Sequence, residues 1–268
     1  MNFDRISIVS GHQPAYLPWL GLFHKLHLSD TFVFMDTLQF LESDWNNRNL
    51  IKTSQNTLML SIPIDKKNSS SKNLDDLIIF GHDKEKNRDF WQRKHWESIK
   101  INYSKCPYFE YFKKDLEIMY LEKKWTSLIE ICWYQFNLFA KYLGLSDRKI
   151  VRMSKKKFEG KKDDLVLDHC IKLNCNAVVF GEKGRDYVDI NKFSENKILV
   201  YFQKYISPVY KQRYNRFVPN LCVLDLLLNL GPDESKKIFL KDNLTKDYLK
   251  TQSPWVNYQE VKNYEKDK

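Results

Sequence analysis

A strand–helix–strand alternation opens this chain, lapses, and then returns, and it limits the choice of fold more than any other feature. "RISIVS" (5–10) is a short apolar run closed by "GHQP". "LPWLGLFHKLHLSD" then places Leu17, Leu20, Phe23, Leu26 and Leu28 along one side of a helix, with Pro18 suited to the first turn. "TFVFMD" (31–36) is a second continuous apolar run. Strand, helix and strand within about 30 residues form a βαβ unit. The pattern resumes with strands at 149–154, 177–182 and 198–203. Helices are expected at 163–175 and 220–231, the latter stopped by Gly231 and Pro232. These elements predict an α/β fold: an open, mostly parallel sheet with helical crossovers. A further strand is expected at 57–64, a flexible polar loop at 65–76, and several helices across 84–143 with a break at Pro107. The expected organisation is one α/β domain over 1–235 with a helical insertion at about 84–145, followed by a charged extension over 236–268. That extension is weakly patterned and reads as one short helix and a frayed end.

With 268 residues, 43% of them hydrophobic, the chain can bury a large core without disulfides. Its net charge of +10 rests on 35 lysines and only 9 arginines. Arginine is the better bidentate reader of phosphate, so the excess reads as a solvated lysine surface, and no nucleic-acid partner is expected. The 5 cysteines lack a paired zinc-type spacing; no metal site is expected and free thiols in a reducing cytoplasm are. No signal-type or membrane-spanning apolar run is present in the sequence, so no membrane insertion is expected.

Ligands of open parallel sheets bind beyond the carboxyl ends of the strands. That rule selects Ser10–His12, Asp36–Gln39, Ser154–Lys157 and Gly181–Arg185. His12 follows the first strand and suits general-base work, or alternatively is a structural imidazole. Asp36 follows the second strand, where it would orient His12, hold a substrate amine, or cap a turn. His95 is a candidate third member of an acid/base set, on a helix that also carries Tyr103, with Lys105 beyond it. The segment "DTLQFLESDWNNRNLIK" supplies Gln39, Trp45, Asn47, Arg48, Asn49 and Lys52, a mixture suited to sugars, bases and diphosphates. Gln13, Tyr16, Trp19 and Lys25 surround His12 in sequence and complete the candidate binding set. Gly181 and Arg185 lie in "GEKGRDYV", a turn whose N–H groups could cradle an anion.

The motifs "GHQPAYLPWLGLFHKL", "FVFMDTLQFLESDWNNRNLIK", "HWESIKINYSKCPYFEYF", "GRDYV" and "PVYKQRYNRFVPNLCVLDLLLNLG" occur in that order. Together, over about 6–232, the chain resembles the WbqC-like family of bacterial proteins. It departs from the family pattern at Phe180, where a small residue is expected before Gly181, and in the lysine-heavy stretch after "RMSKKKFEG". The resemblance implies a part in O-antigen and other surface-polysaccharide biosynthesis, with amino sugars carrying amide-linked acyl or aminoacyl groups.

The leading expectation is then a transferase that acylates, or aminoacylates, the amine of a nucleotide-linked amino sugar. The donor would be a thioester on an acidic acyl carrier protein, with no cofactor beyond its phosphopantetheine arm. His12 would be the base and Asp36 its orienter or the amine's holder. Arg48, Lys52 and Lys105 would hold the diphosphate, and Tyr16 and Trp45 would stack on sugar or base. A nucleotidyl- or glycosyltransferase of the same pathway and a non-catalytic sugar-nucleotide binder are the alternatives.

Overall fold

The computed structural model describes residues 6–65, 72–80, 90–252 and 254–266. Of the loop expected at 65–76, residues 66–71 lie outside the described residues, as does the expected start of the helical block at 84–89, whereas Leu74–Asp76 form a 3₁₀ turn with Leu74 buried. Five parallel strands form the main sheet: β1 (Ile8–His12), β2 (Thr31–Phe34), β5 (Lys149–Arg152), β6 (Ala177–Gly181) and β7 (Leu199–Gln203). Their order is β5-β2-β1-β6-β7, so the chain winds outward in one direction from β1 and then in the other from β6. The winding reverses between β1 and β6, the topological switch point of a doubly wound sheet.

Side chains alternate across the strands, so each face has its own cover. Val9, Val33, Val178, Phe180, Val200 and Phe202 pack beneath α5 (Lys162–Lys172) and α6 (Ile190–Glu195) through Cys170 and Phe193. On the opposite face, Phe32 and Phe34 meet Phe23 of α1 (Leu20–Leu28) and Phe136 of α4 (Leu128–Tyr142). Strands covered on both sides tend to be apolar, and Ile8–Val9 of β1 and Phe32–Phe34 of β2 read as hydrophobic runs for that reason.

The crossover from β2 to β5 differs from the expected helical insertion. It begins with an antiparallel pair, β3 (Arg48–Lys52) and β4 (Thr57–Ser61), that stands apart from the main sheet. The strand expected at 57–64 is β4; β3 falls where the sequence reads as a polar, Asn-rich loop. Its inward positions carry Asn49 as well as Ile51, and the polar side chain hides the period of two. Next come α2 (Phe90–Tyr103), α3 (Phe109–Glu117), which continues through a π-helical turn at Ile118–Glu122, and α4. Pro107 separates α2 from α3, as expected.

The segment α7 (Val223–Ile238) breaks at Gly231, as the sequence predicts, and a second helical run resumes from Pro232. Gly231 takes φ 75° and ψ 174°, kinking the helix, and a Cβ at this position would sit 2.4 Å from the Tyr108 ring. The C-terminal segment is more ordered than its composition implies. It forms α8 (Lys246–Gln252) and α9 (Tyr258–Lys266), and Leu249, Trp255 and Val261 join Ile6, Ile8, Ala177, Val179 and Leu199 in a third core cluster. Val256 donates to the Val200 carbonyl, and the Asn257 side chain accepts from Val200 N–H, so the tail closes the outer edge of β7. Trp255→Ala is expected to lower unfolding free energy by about 3 kcal/mol in urea titration; an unchanged midpoint would mean the tail is peripheral to the core.

Candidate active site at the parted strands

The β1–β6 ladder runs from Ile8↔Ala177 to Ser10↔Val179 and ends there. Yet β1 continues to His12 alongside β2, and β6 continues to Gly181 alongside β7. The two central strands therefore part at their carboxyl ends, where the winding reverses. Ser10, buried at the last rung, closes the base of the gap by donating its hydroxyl to the Val179 carbonyl at 2.8 Å. One residue on, the Gly11 carbonyl accepts from the ammonium of Lys25, which reaches over from α1.

His12 stands at the rim, half-buried, on the α1 face of the sheet. Its Nδ1 lies 2.7 Å from the Gln13 carbonyl, an acceptor only, so Nδ1 carries the proton and Nε2 keeps its lone pair. Loss of hydration, then the nearby Lys25 charge, pull its pKa down to about 4, so the imidazole is neutral at pH 7. Lys25 is 7% exposed, and burial lowers its pKa to about 8. Gly181 opposes this pair across the gap, and a Cβ there would meet nothing within 4 Å. On the next strand, buried Gln203 donates to the Gly21 carbonyl and to His24 Nδ1, while His24 Nε2 donates to the Leu244 carbonyl. His24 thus ties α1 to the sheet and the tail. Applying the strand-end rule to 198–203 points to Gln203, which sequence reasoning passed over.

The segment that follows His12 is held from several sides. Asn46 donates to the Gln13 side chain (3.2 Å) and the Pro14 carbonyl (2.7 Å), and accepts at its own carbonyl from Tyr16 N–H. Leu17 is forced to φ 46°, its N–H held by Gln135 of α4 and its carbonyl by Asn49 of β3. Tyr16 is fully buried, with its hydroxyl 2.8 Å from His95 Nδ1 and 2.6 Å from Tyr120.

Several expected roles change as a result. Asp36 does not orient His12. It is completely buried, and its oxygens accept from Arg152 Nε (2.8 Å), Ser154 N–H (2.8 Å) and Ser154 Oγ (2.7 Å). These bonds fasten the end of β2 to the end of β5. His95 and Tyr16 form an internal brace and are not open to substrate. Lys52 is also sealed: its ammonium donates to Gln212 Oε1, the Tyr214 carbonyl and the Arg216 carbonyl, and its N–H to Tyr103. Tyr103 and Tyr210 in turn donate to Asp225 of α7, a buried hub that the sequence shows only as one acid in an apolar run. Asn49 and Asn47 are occupied by the Leu17 and Ile62 carbonyls. Trp19 packs edge-on against Tyr205 at the start of α1.

Other members of the set are on the surface. Trp45 is 48% exposed, with the Arg48 guanidinium 5.9 Å from its ring centre. Gln39 and Lys105 are exposed and lie on other elements. The 182–186 turn is a 3₁₀ segment folded onto the opposite face, and Arg185 covers the Phe202 ring there at 4.7 Å. Arg185 therefore does not join Gly181 in a cradle. Two surface hollows lie away from His12: one of about 310 Å³ along 52–56 and 214–218, another of about 580 Å³ along 185–191. All five cysteines are buried free thiols. Among the described residues no cluster of three or more His, Cys, Asp or Glu has metal-ligand geometry, and no helix is long and apolar enough to cross a membrane.

Two outcomes follow from this placement. Asp36→Asn is expected to cost roughly 3 kcal/mol of stability, since it removes the fully buried charge that pairs with Arg152 and leaves that guanidinium only the exposed Glu130, and chemical denaturation reads that loss directly. His12, His27, His95 and His169 are each held near pKa 4 by burial against an ordinary 6.5. The unfolded chain therefore binds protons first as pH falls. Stability present above pH 6.5 is lost progressively down to about pH 4, as urea midpoints at pH 7 and pH 5 will show.

A model of the WbqC-like protein family matches residues 13–237. The chain is 32% identical over 222 residues to the uncharacterized protein Rv1507c of Mycobacterium tuberculosis, covering 82% of this chain and 93% of that protein. No solved structure matches. The matched span runs from the residue after His12 to the end of α7 and takes in Lys25 and Gly181: this chain belongs to the WbqC-like protein family.

Proposed function

We propose that this protein is a transferase of surface-polysaccharide assembly. In this reading it acylates, or aminoacylates, the amine of a nucleotide-linked amino sugar, using a thioester donor carried by an acidic carrier protein. The observation that carries the proposal is the free Nε2 of His12 at the gap between β1 and β6. An amine attacking a thioester forms the N–C bond, expels the thiolate and must lose a proton. His12 Nε2 accepts that proton and returns one to the leaving sulfur. The bond from Nδ1 to Gln13 fixes the ring and its tautomer, which saves reorganisation during the reaction. Trp45, on the loop tied to Gln13 through Asn46, and Arg48, at the start of β3, supply a ring face and a cation for the nucleotide. The lysine-rich surface suits an acidic carrier.

The test combines the protein with a dTDP-4-amino sugar and a series of acyl- and aminoacyl-loaded carrier proteins, and follows amide formation by mass spectrometry. The expected result is an amide product whose rate falls about a hundredfold or more in His12→Ala, with an unchanged melting temperature. Absence of product with every donor, or full activity in His12→Ala, contradicts the proposal. Pyrophosphate or nucleoside diphosphate release would instead indicate a nucleotidyl- or glycosyltransferase.

A further inference from the structure

Among the described residues two lysines are buried, and they are in opposite situations. Lys52 is 2% exposed and its ammonium has three acceptors. Lys25 is 7% exposed and its ammonium donates only to the Gly11 carbonyl. An ammonium has three donors. Among the described residues no carboxylate forms an ion pair with Lys25. A buried charge with no counter-charge is expensive, and chains keep one where a ligand supplies the missing partner.

The surroundings of Lys25 indicate what that partner is. Gly11, His12 and Gly181 are each half-buried, so solvent reaches the gap they line. The Gly11 carbonyl that holds Lys25 points toward β6, where the ladder has stopped. Strand alternation turns the Gly181 N–H toward β1 across the same gap, one rung beyond Val179. The space over Gly181 is open for at least 4 Å. A point-like cation and a backbone N–H facing it fit a tetrahedral oxyanion. Among the described residues no guanidinium fork of the kind that matches a planar carboxylate is present at the gap.

We propose that the gap between β1 and β6 is a phosphate subsite in which the Lys25 ammonium pairs with a phosphoryl group of the ligand. This names the ligand chemistry of the site assigned above and rests on that reading for its location. The phosphoryl group can belong to a nucleoside diphosphate or to a phosphopantetheine arm, and binding measurements separate the two.

The experiment uses the full chain, with calorimetric titration and thermal melting in dTDP, phosphopantetheine, inorganic phosphate and, as the phosphate-free control, thymidine. At least one of the three phosphates is expected to bind and to raise the melting temperature; the tighter of dTDP and phosphopantetheine identifies the source. Lys25→Met is expected to bind the tighter phosphate at least tenfold more weakly. Gly181→Val, which fills the space and leaves Lys25 intact, is expected to lose binding to the same degree, so the inference stays testable if Lys25→Met fails to fold. His12→Ala is expected to keep phosphate affinity within a fewfold. Full turnover in His12→Ala, or no turnover by the wild type, with this binding retained would overturn the catalytic reading alone. Failure of all three phosphates to bind wild type, or wild-type affinity in the Lys25 and Gly181 variants, overturns the phosphate subsite.

Discussion

The central hydrogen-bond ladder of this sheet ends two residues before either strand does, and a lysine from the first helix takes the carbonyl that the next rung would have used. The rest of the candidate site depends on that substitution. Had β6 paired with Gly11, the carboxyl ends of β1 and β6 would form closed sheet. Lys25 satisfies the exposed carbonyl, keeps the strands apart, and places a positive charge beside His12. The imidazole is then neutral for two additive reasons, its loss of water and its cationic neighbour.

Much of the remaining molecule positions the five residues after His12. β3 contributes Asn49, the loop before it Asn46, and α4 Gln135, while α2 and the π-turn contribute His95 and Tyr120. These bonds hold Leu17 at a positive φ that a leucine otherwise avoids. The long crossover from β2 to β5 is therefore a brace for the loop at the mouth of the gap. Among the described residues most of its buried polar groups pair with the loop and with one another, Asn46 Oδ1 and Gln92 Oε1 being left without a partner, and these bonds hold the loop in place.

The main sheet was legible in the sequence because its strands are covered on both faces and read as apolar runs. The strand-end rule located His12 and Gly181 for the same reason. β3 was not legible, since half of its inward positions are polar. The roles of Asp36 and His95 were not legible either. A carboxylate at a strand end looks the same in sequence whether it faces a ligand or, as here, Arg152 and Ser154 on the neighbouring strand. His95 meets Tyr16 across 79 positions of chain, and no local pattern encodes that contact. The tail misled for a compositional reason: Leu249, Trp255 and Val261 are spaced among lysines and glutamates, so the charged residues dominate the window while the three apolar ones bind to the sheet edge.

The account turns on the protonation of one imidazole. Long-range ¹H–¹⁵N spectra of the histidine-labelled protein, with the His12 signals assigned by their loss in His12→Ala, test it most directly. At pH 6 they should show a neutral His12 ring with its proton on Nδ1 and a bare Nε2. A cationic ring at that pH, or a proton on Nε2, would contradict it.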